Sequence, residues 1–367
     1  MGRSAANAPL ARVVWCGARG ARISVQTMNR RDIRRLAVTG LVLIWVSRAE
    51  AEDTVWLASE GGTGRVKLTG RILDYTGRQL RLELSGGRQQ DYPAALVRGI
   101  ETAYGAQQVE AQEAYDRRQF ESALQSFRKA MESETRPWVR RQIAAKVVSC
   151  YQALGQGQPA AETFLLLVRS DPDTPDFACI PLAWMPKDSV AMVEQAARQW
   201  MGRDDLPAAV LLGASHLLSG NQRTAAVARL EQLSNSADAR LALLAQSQLW
   251  RAHLMTVNPA QVEQWQATLE KLPEDLRAGP YFVIGQARAR LQQWDQAATA
   301  YMRVPILYGQ QRPLAAAALV EAAGCLDRLN RRPEAVGLYR EAAEKYGETS
   351  AGAEARARLE ELRRQQP

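Results

Sequence analysis

One pattern in this chain returns at a fixed interval, and it limits the possible folds more than any other feature. From residue 104 to residue 366 apolar residues keep helical spacing, with breaks at Pro137, Gly155, Pro172, Gly220, Pro259, Pro273, Pro280, Pro313 and Gly347. The spacing predicts helices of roughly 12 to 18 residues joined by short turns. Within them Phe120, Ala123, Phe127 and Ala130 alternate an aromatic with a small residue on one helix face. Trp294, Ala297 and Tyr301 repeat the alternation, as do Ala335, Tyr339 and Ala342 and, more loosely, Ala160, Phe164 and Leu167. Ala123 and Ala160 are 37 residues apart, and Ala297 and Ala335 are 38 apart. A helix pair with one apolar face cannot bury it alone, so a chain with this period has to stack its pairs. The small residues let paired helices approach closely, and the aromatics fill the gap to the next pair.

The segment from Arg118 to Ala130 is similar to the second helix of the tetratricopeptide repeat, a family with a period of about 34 residues. First helices resemble the family as well, with Tyr281, Ile284 and Gly285 in one repeat and Ala144, Val147, Val148 and Tyr151 in another. Four repeats are recognisable, with one or two degenerate helical pairs between them. The register between residues 173 and 275 stays open: Gly220 to Leu233 threads in two registers, and Thr174 to Lys187, with three prolines, matches nothing. Ser350 to Arg364 is expected to be a capping helix whose polar face ends the stack. The resemblance implies a mainly α chain, an α-α superhelix or TPR-like solenoid over 104–366. First-helix side chains would then line a groove for a partner peptide or protein. By that resemblance the lining residues are Gln108, Gln112, Tyr115 and Asp116 in the first repeat, and Phe282, Gln286 and Arg290 in a later one.

Residues 52–103 change to period two, as in Val66-Lys67-Leu68 and Leu80-Arg81-Leu82-Glu83-Leu84. Turn chemistry at Asp74-Tyr75-Thr76-Gly77 and Ser85-Gly86-Gly87 separates strands expected near 65–73, 78–84, 88–92 and 96–102. This small β domain resembles SH3-like or Sm-like barrels, so a curled barrel is expected, of a kind that binds peptides or RNA. Seven basic and seven acidic residues share the segment, and it has no aromatic cluster on which bases could stack. Arg65, Lys67, Arg71, Arg78, Arg81 and Arg88 therefore read as a solvated face.

The net charge of +8 lies at the front. Residues 1–51 hold nine Arg against Asp32 and Glu50, and the rest carries 38 basic and 37 acidic groups. A near-neutral body lacks the electrostatic footprint of nucleic-acid binding, so no nucleic-acid partner is expected. Residues 28–51 read as a signal peptide: a basic start at Arg30, Arg31, Arg34 and Arg35, an eleven-residue apolar run from Leu36 to Val46, and Ala49 and Ala51 for cleavage. A membrane span needs roughly 20 apolar residues, so no stable span is expected after cleavage. Residues 1–27 are expected to be a disordered or untranslated extension. Export to the periplasm or the bacterial cell envelope follows from this address.

The chain has two histidines, His216 and His253, and both sit in apolar helical contexts that suggest structural roles. Cys150 and Cys325 fall late in first helices, where small apolar residues pack. Gly61-Gly62-Thr63-Gly64 lacks the lysine and helix of a phosphate loop, and no metalloprotease, hydrolase or dinucleotide motif is present. No metal, cofactor or catalytic residue is expected. These readings converge on a non-enzymatic protein–protein interaction scaffold of the cell envelope. The alternatives are an RNA- or peptide-binding barrel with a helical tail, and an envelope enzyme.

Overall fold

The computed structural model describes residues 12–16, 52–59, 64–185 and 191–364. The signal-like segment and residues 60–63 lie outside them. The chain divides into two compact units, residues 1–143 with 171–175, and residues 144–170 with 176–367.

The first unit holds an antiparallel sheet. Its strands are β1 Arg12–Cys16, β2 Asp53–Ala58, β3 Arg65–Tyr75, β4 Gln79–Leu84, β5 Gln89–Pro93 and β6 Val97–Ala103, in the order β1-β6-β2-β3-β4-β5. Strands β2 to β5 pair in sequence, and β6 returns beside β2, with Val55 opposite both Leu68 and Ile100. Alternation buries Val55, Leu57, Ile72, Leu80, Leu82 and Ile100 on one face. Gly70 has no Cβ because the Glu83 backbone occupies that space, and a register shift between Ile72 and Asp74 bends β3 one step further on. The expected barrel does not close: β1 and β5 form the two edges and are not paired with each other, which leaves an open sheet. Strand β1 lies within the segment expected to be disordered or untranslated. Five of those residues instead pair along β6, from Arg12 opposite Ala103 to Cys16 opposite Gly99.

The same unit contains the first helices, α1 Ala106–Asp116 and α2 Phe120–Ser133, and the start of α3, Pro137–Ala153. Buried Asp53 ties sheet and helices together. Its Oδ2 accepts from the Ile72 N–H at 2.7 Å and its Oδ1 accepts from the Thr102 hydroxyl. Arg136 donates to Thr102 Oγ1 at 2.9 Å and to the Ala103 carbonyl at 3.1 Å, while Glu134 accepts from the same guanidinium at 2.8 Å. Burial pushes the Glu134 carboxyl up, but hydrogen bonds from Arg136 outweigh it, so Glu134 lies below its ordinary value. Arg141 likewise holds Asp74 and the Tyr75 carbonyl.

The second unit is a row of helices: α4 Gly157–Ser170, α5 Ala191–Met201, α6 Pro207–Leu217, α7 Arg223–Leu233, α8 Ala239–His253, α9 Pro259–Leu269, α10 Ala278–Arg290, α11 Trp294–Leu307, α12 Arg312–Arg328, α13 Arg332–Lys345 and α14 Ser350–Arg364. Consecutive helices pack side by side, and each even-numbered helix from α4 to α14 also touches the next even-numbered one. One continuous core runs from Val148 to Ala355. This is a solenoid-like row of hairpins. The prolines expected as breaks at 137, 259, 280 and 313 stand instead in the first turns of α3, α9, α10 and α12, where a missing N–H costs no hydrogen bond.

The repeat signature is buried as its spacing requires. Phe120, Ala123, Phe127, Ala130, Phe164, Ala297, Tyr301, Ala335, Tyr339 and Ala342 are all in the core, while Tyr151 and Trp294 are half-buried. A Cβ on Gly285 would lie 2.6 Å from the Tyr301 ring, so only glycine admits that aromatic. The four recognisable repeats also share one turn. Arg118, Gly155, Gln292 and Asn330 have positive φ of 62°, 68°, 58° and 59°, each two residues before its second helix. The next amide in each, from Gln119, Gln156, Gln293 and Arg331, donates 2.8–2.9 Å to a carbonyl five residues back. This is the left-handed helix ending that satisfies orphan carbonyls.

Candidate functional site

Measured from these shared turns, the lining residues named from sequence occupy matching positions. Gln108 and Phe282 stand ten residues before the left-handed residue, Gln112 and Gln286 six, and Asp116 and Arg290 two. On α1, Gln112 Nε2 donates to Asp116 Oδ1 at 2.8 Å, and Asp116 is exposed. Tyr115 turns inward instead, with ring contacts to Phe120 at 5.6 Å and Phe127 at 6.4 Å. On α10 only Arg290 is exposed. Phe282 is 1% exposed and packs edge-on against Tyr301 at 5.3 Å, so it belongs to the core and lines no surface. Gln108 Oε1 and Gln286 Oε1 are buried acceptors with no donor in reach among the described residues. The α1 group belongs to the first unit and the α10 group to the second.

On α12 the same positions are Val320, Gly324 and Arg328, and a Cβ on Gly324 would meet nothing within 4 Å. This open stretch was not singled out from sequence, although counting back from Asn330 finds it.

A second polar constellation lies inside the second unit. Pro181, Leu182, Ala183 and Trp184 are buried but not helical. Backbone of that kind has to find partners away from itself. The Ala183 N–H donates to Ser215 Oγ at 3.3 Å, and the Ala183 carbonyl accepts from Gln248 Nε2 at 3.2 Å and Arg251 Nη1 at 2.7 Å. His216 Nε2 lies 3.1 Å from the Pro181 carbonyl. His216 is buried, whereas His253, read from sequence as sitting in an apolar context, is exposed at the end of α8 and is not part of a core. Cys150 and Cys325 are buried, and burial pushes their thiols up to about 12 and about 11.

A cleft of about 250 Å³ opens beside Arg288 and Arg303. Arg288 donates to Glu263, Gln266, Gln293 and Gln296, and Arg303 lies over the Tyr281 ring at 4.9 Å. On the sheet, Arg71 pairs with Glu83 at 2.8 Å and Arg81 with Asp91 at 2.9 Å, as a solvated face should. Among the described residues no group of three or more His, Cys, Asp or Glu side chains could hold a metal ion, and no helix is long and apolar enough to cross a membrane.

Fold and surfaces together define a mainly helical protein of stacked hairpins with a small open sheet near its start. No known family matches the chain, and no curated protein does. The tetratricopeptide resemblance therefore rests on the repeat signature and its shared turns. Among solved structures the chain is similar to residues 1–338 of the assembly chaperone of RpL4 (Acl4), at 13% identity over 71% of this chain and 97% of that one, with a TM-score of 0.30.

Proposed function

We propose that the chain is a non-enzymatic scaffold that binds a partner peptide or protein along the row of even-numbered helices. One observation carries the reading: a row of hairpins on one continuous core presents exposed arginines at constant register on successive first helices, Arg290 on α10 and Arg328 on α12, the latter beside the open Gly324. Such a surface suits an extended segment or helix of another protein. The ion-paired arginines on the sheet weigh against the RNA-binding alternative. An exported location in the cell envelope rests on the sequence of residues 28–51.

Crosslinking in cells followed by purification from envelope fractions tests the partner. A specific protein that is lost on Arg290→Glu with Arg328→Glu supports the reading, and no captured protein argues against it. Mass spectrometry of the mature chain tests export, with an amino terminus near Glu52 expected; such cleavage removes β1 and leaves β6 as an edge of the sheet.

A further inference from the structure

The 20 residues between Ser170 and Ala191 contain one 3-10 turn, Phe177–Cys179, and no regular helix among those described. Connections this long are uncommon and are usually functional segments or linkers; residues 171–175 of this one belong to the first unit and the rest to the second. Part of this one is not a surface loop. From Phe177 to Trp184 the chain lies against α4, α6, α8 and α10. Phe177 packs edge-on against Phe164 at 5.6 Å and under the Arg240 guanidinium at 4.5 Å. At the other end the Trp184 ring fills the space that any side chain at Gly279 would need.

Between these anchors the helices hold the strap by its backbone. Ser215, Gln248 and Arg251 take both polar groups of Ala183, and His216 takes the carbonyl of Pro181. Ser215 and Gln248 are fully buried, on helices whose other buried positions are mostly apolar. Ser215 also donates to the Leu212 carbonyl of its own helix at 2.8 Å, whereas Gln248 Nε2 has the Ala183 carbonyl as its acceptor and would be costly to bury without the strap. Reading main-chain groups between aromatic anchors is how a groove takes an extended peptide. Pro175 and Pro181 favour the extended form by fixing their own φ and restricting the residue before them.

We propose that the seat formed by Ser215, His216, Gln248, Arg251 and Gly279 is a peptide-binding site, occupied in this chain by its own strap. It takes in trans an extended segment with a proline three residues before a tryptophan. The inference rests on reading the even-numbered helices as a protein-binding surface, and it adds the chemistry of the guest. A tethered strap has an effective concentration on the order of millimolar, so an outside peptide competes only when the strap lets go.

The test uses a fluorescent peptide of residues 177–185 and the full chain with those residues replaced by a Gly-Ser stretch of equal length. Binding to the replaced chain, falling about tenfold or more when Arg251→Ala removes a charge-assisted bond, is expected. A peptide carrying Ala in place of Trp184 should bind no better than that variant. A replaced chain that keeps native helicity and does not bind the peptide overturns the proposal. Should the replaced chain not fold, amide exchange in the unaltered chain decides. Exchange of Leu182 to Trp184 by local opening, ahead of α6 and α8, supports a releasable strap, and exchange only with the helices overturns it. Peptide and chain alone enter these measurements, so failure to capture a cellular partner would count against the scaffold and leave this result standing.

Discussion

Arg118, Gln292 and Asn330 hold left-handed backbone that glycine adopts without strain, and Gly155 already occupies the same place in another hairpin. For an L side chain that conformation costs about 1–2 kcal/mol, less for Asn. Gln292→Gly should therefore raise stability by about 1 kcal/mol and Gly155→Gln lower it by a similar amount, both read from denaturant midpoints. The signature alanines predict the opposite kind of effect. Ala123 and Ala335 are completely buried, so Ala123→Leu or Ala335→Leu overpacks a helix contact and should cost about 1–3 kcal/mol in the same measurement. At this scale sequence carried most of the information, because a small residue or aromatic at fixed helical spacing has one face on which to go. It misled at Phe282 and Tyr115. Their positions fit a lining face, but side chains of that size were drawn inward to Tyr301 and to Phe120 and Phe127.

Elements divide by whether their cause is local. Strands expected near 65–73, 78–84, 88–92 and 96–102 form at 65–75, 79–84, 89–93 and 97–103, and the capping helix has the expected bounds at Ser350 and Arg364. Alternation and turn residues sit within each of these segments. Barrel closure depends on whether distant edges meet, and no residue on β5 encodes that. The strap was equally illegible, since Gln248 and Arg251 stand 65 and 68 residues from the carbonyl they bind. The attachment of sheet to helices at Asp53, Thr102, Arg136 and Glu134 was hidden for the same reason, and it has a pH signature. Glu134 is depressed in the folded state, so its contribution is present above the ordinary value of 4.5 and lost as pH falls through the lower folded value. Glu134→Gln should remove that part of the acid dependence, and Arg136→Met should cost about 1.5–3 kcal/mol at neutral pH, both followed by tryptophan fluorescence.

Across the second unit, contacts run between neighbours along the row, so damage should stay local. Deleting Ser350–Arg364 uncovers α12 and α13, where Ala351, Gly352 and Ala355 are now buried. The shortened chain should lose amide protection first in α12 and α13, keep it in α6 and α8, and self-associate in light scattering. The turn common to four hairpins has a further meaning for how such a chain can change length. Because Gln292 and Asn330 leave the backbone in one conformation at equivalent points, the 38 residues from Gln293 to Asn330 form an interchangeable cassette. Joining Gln292 to Arg331 hands α10 directly to α13 through an unaltered corner, so lineages could shorten or lengthen the array by whole cassettes without redesigning a junction.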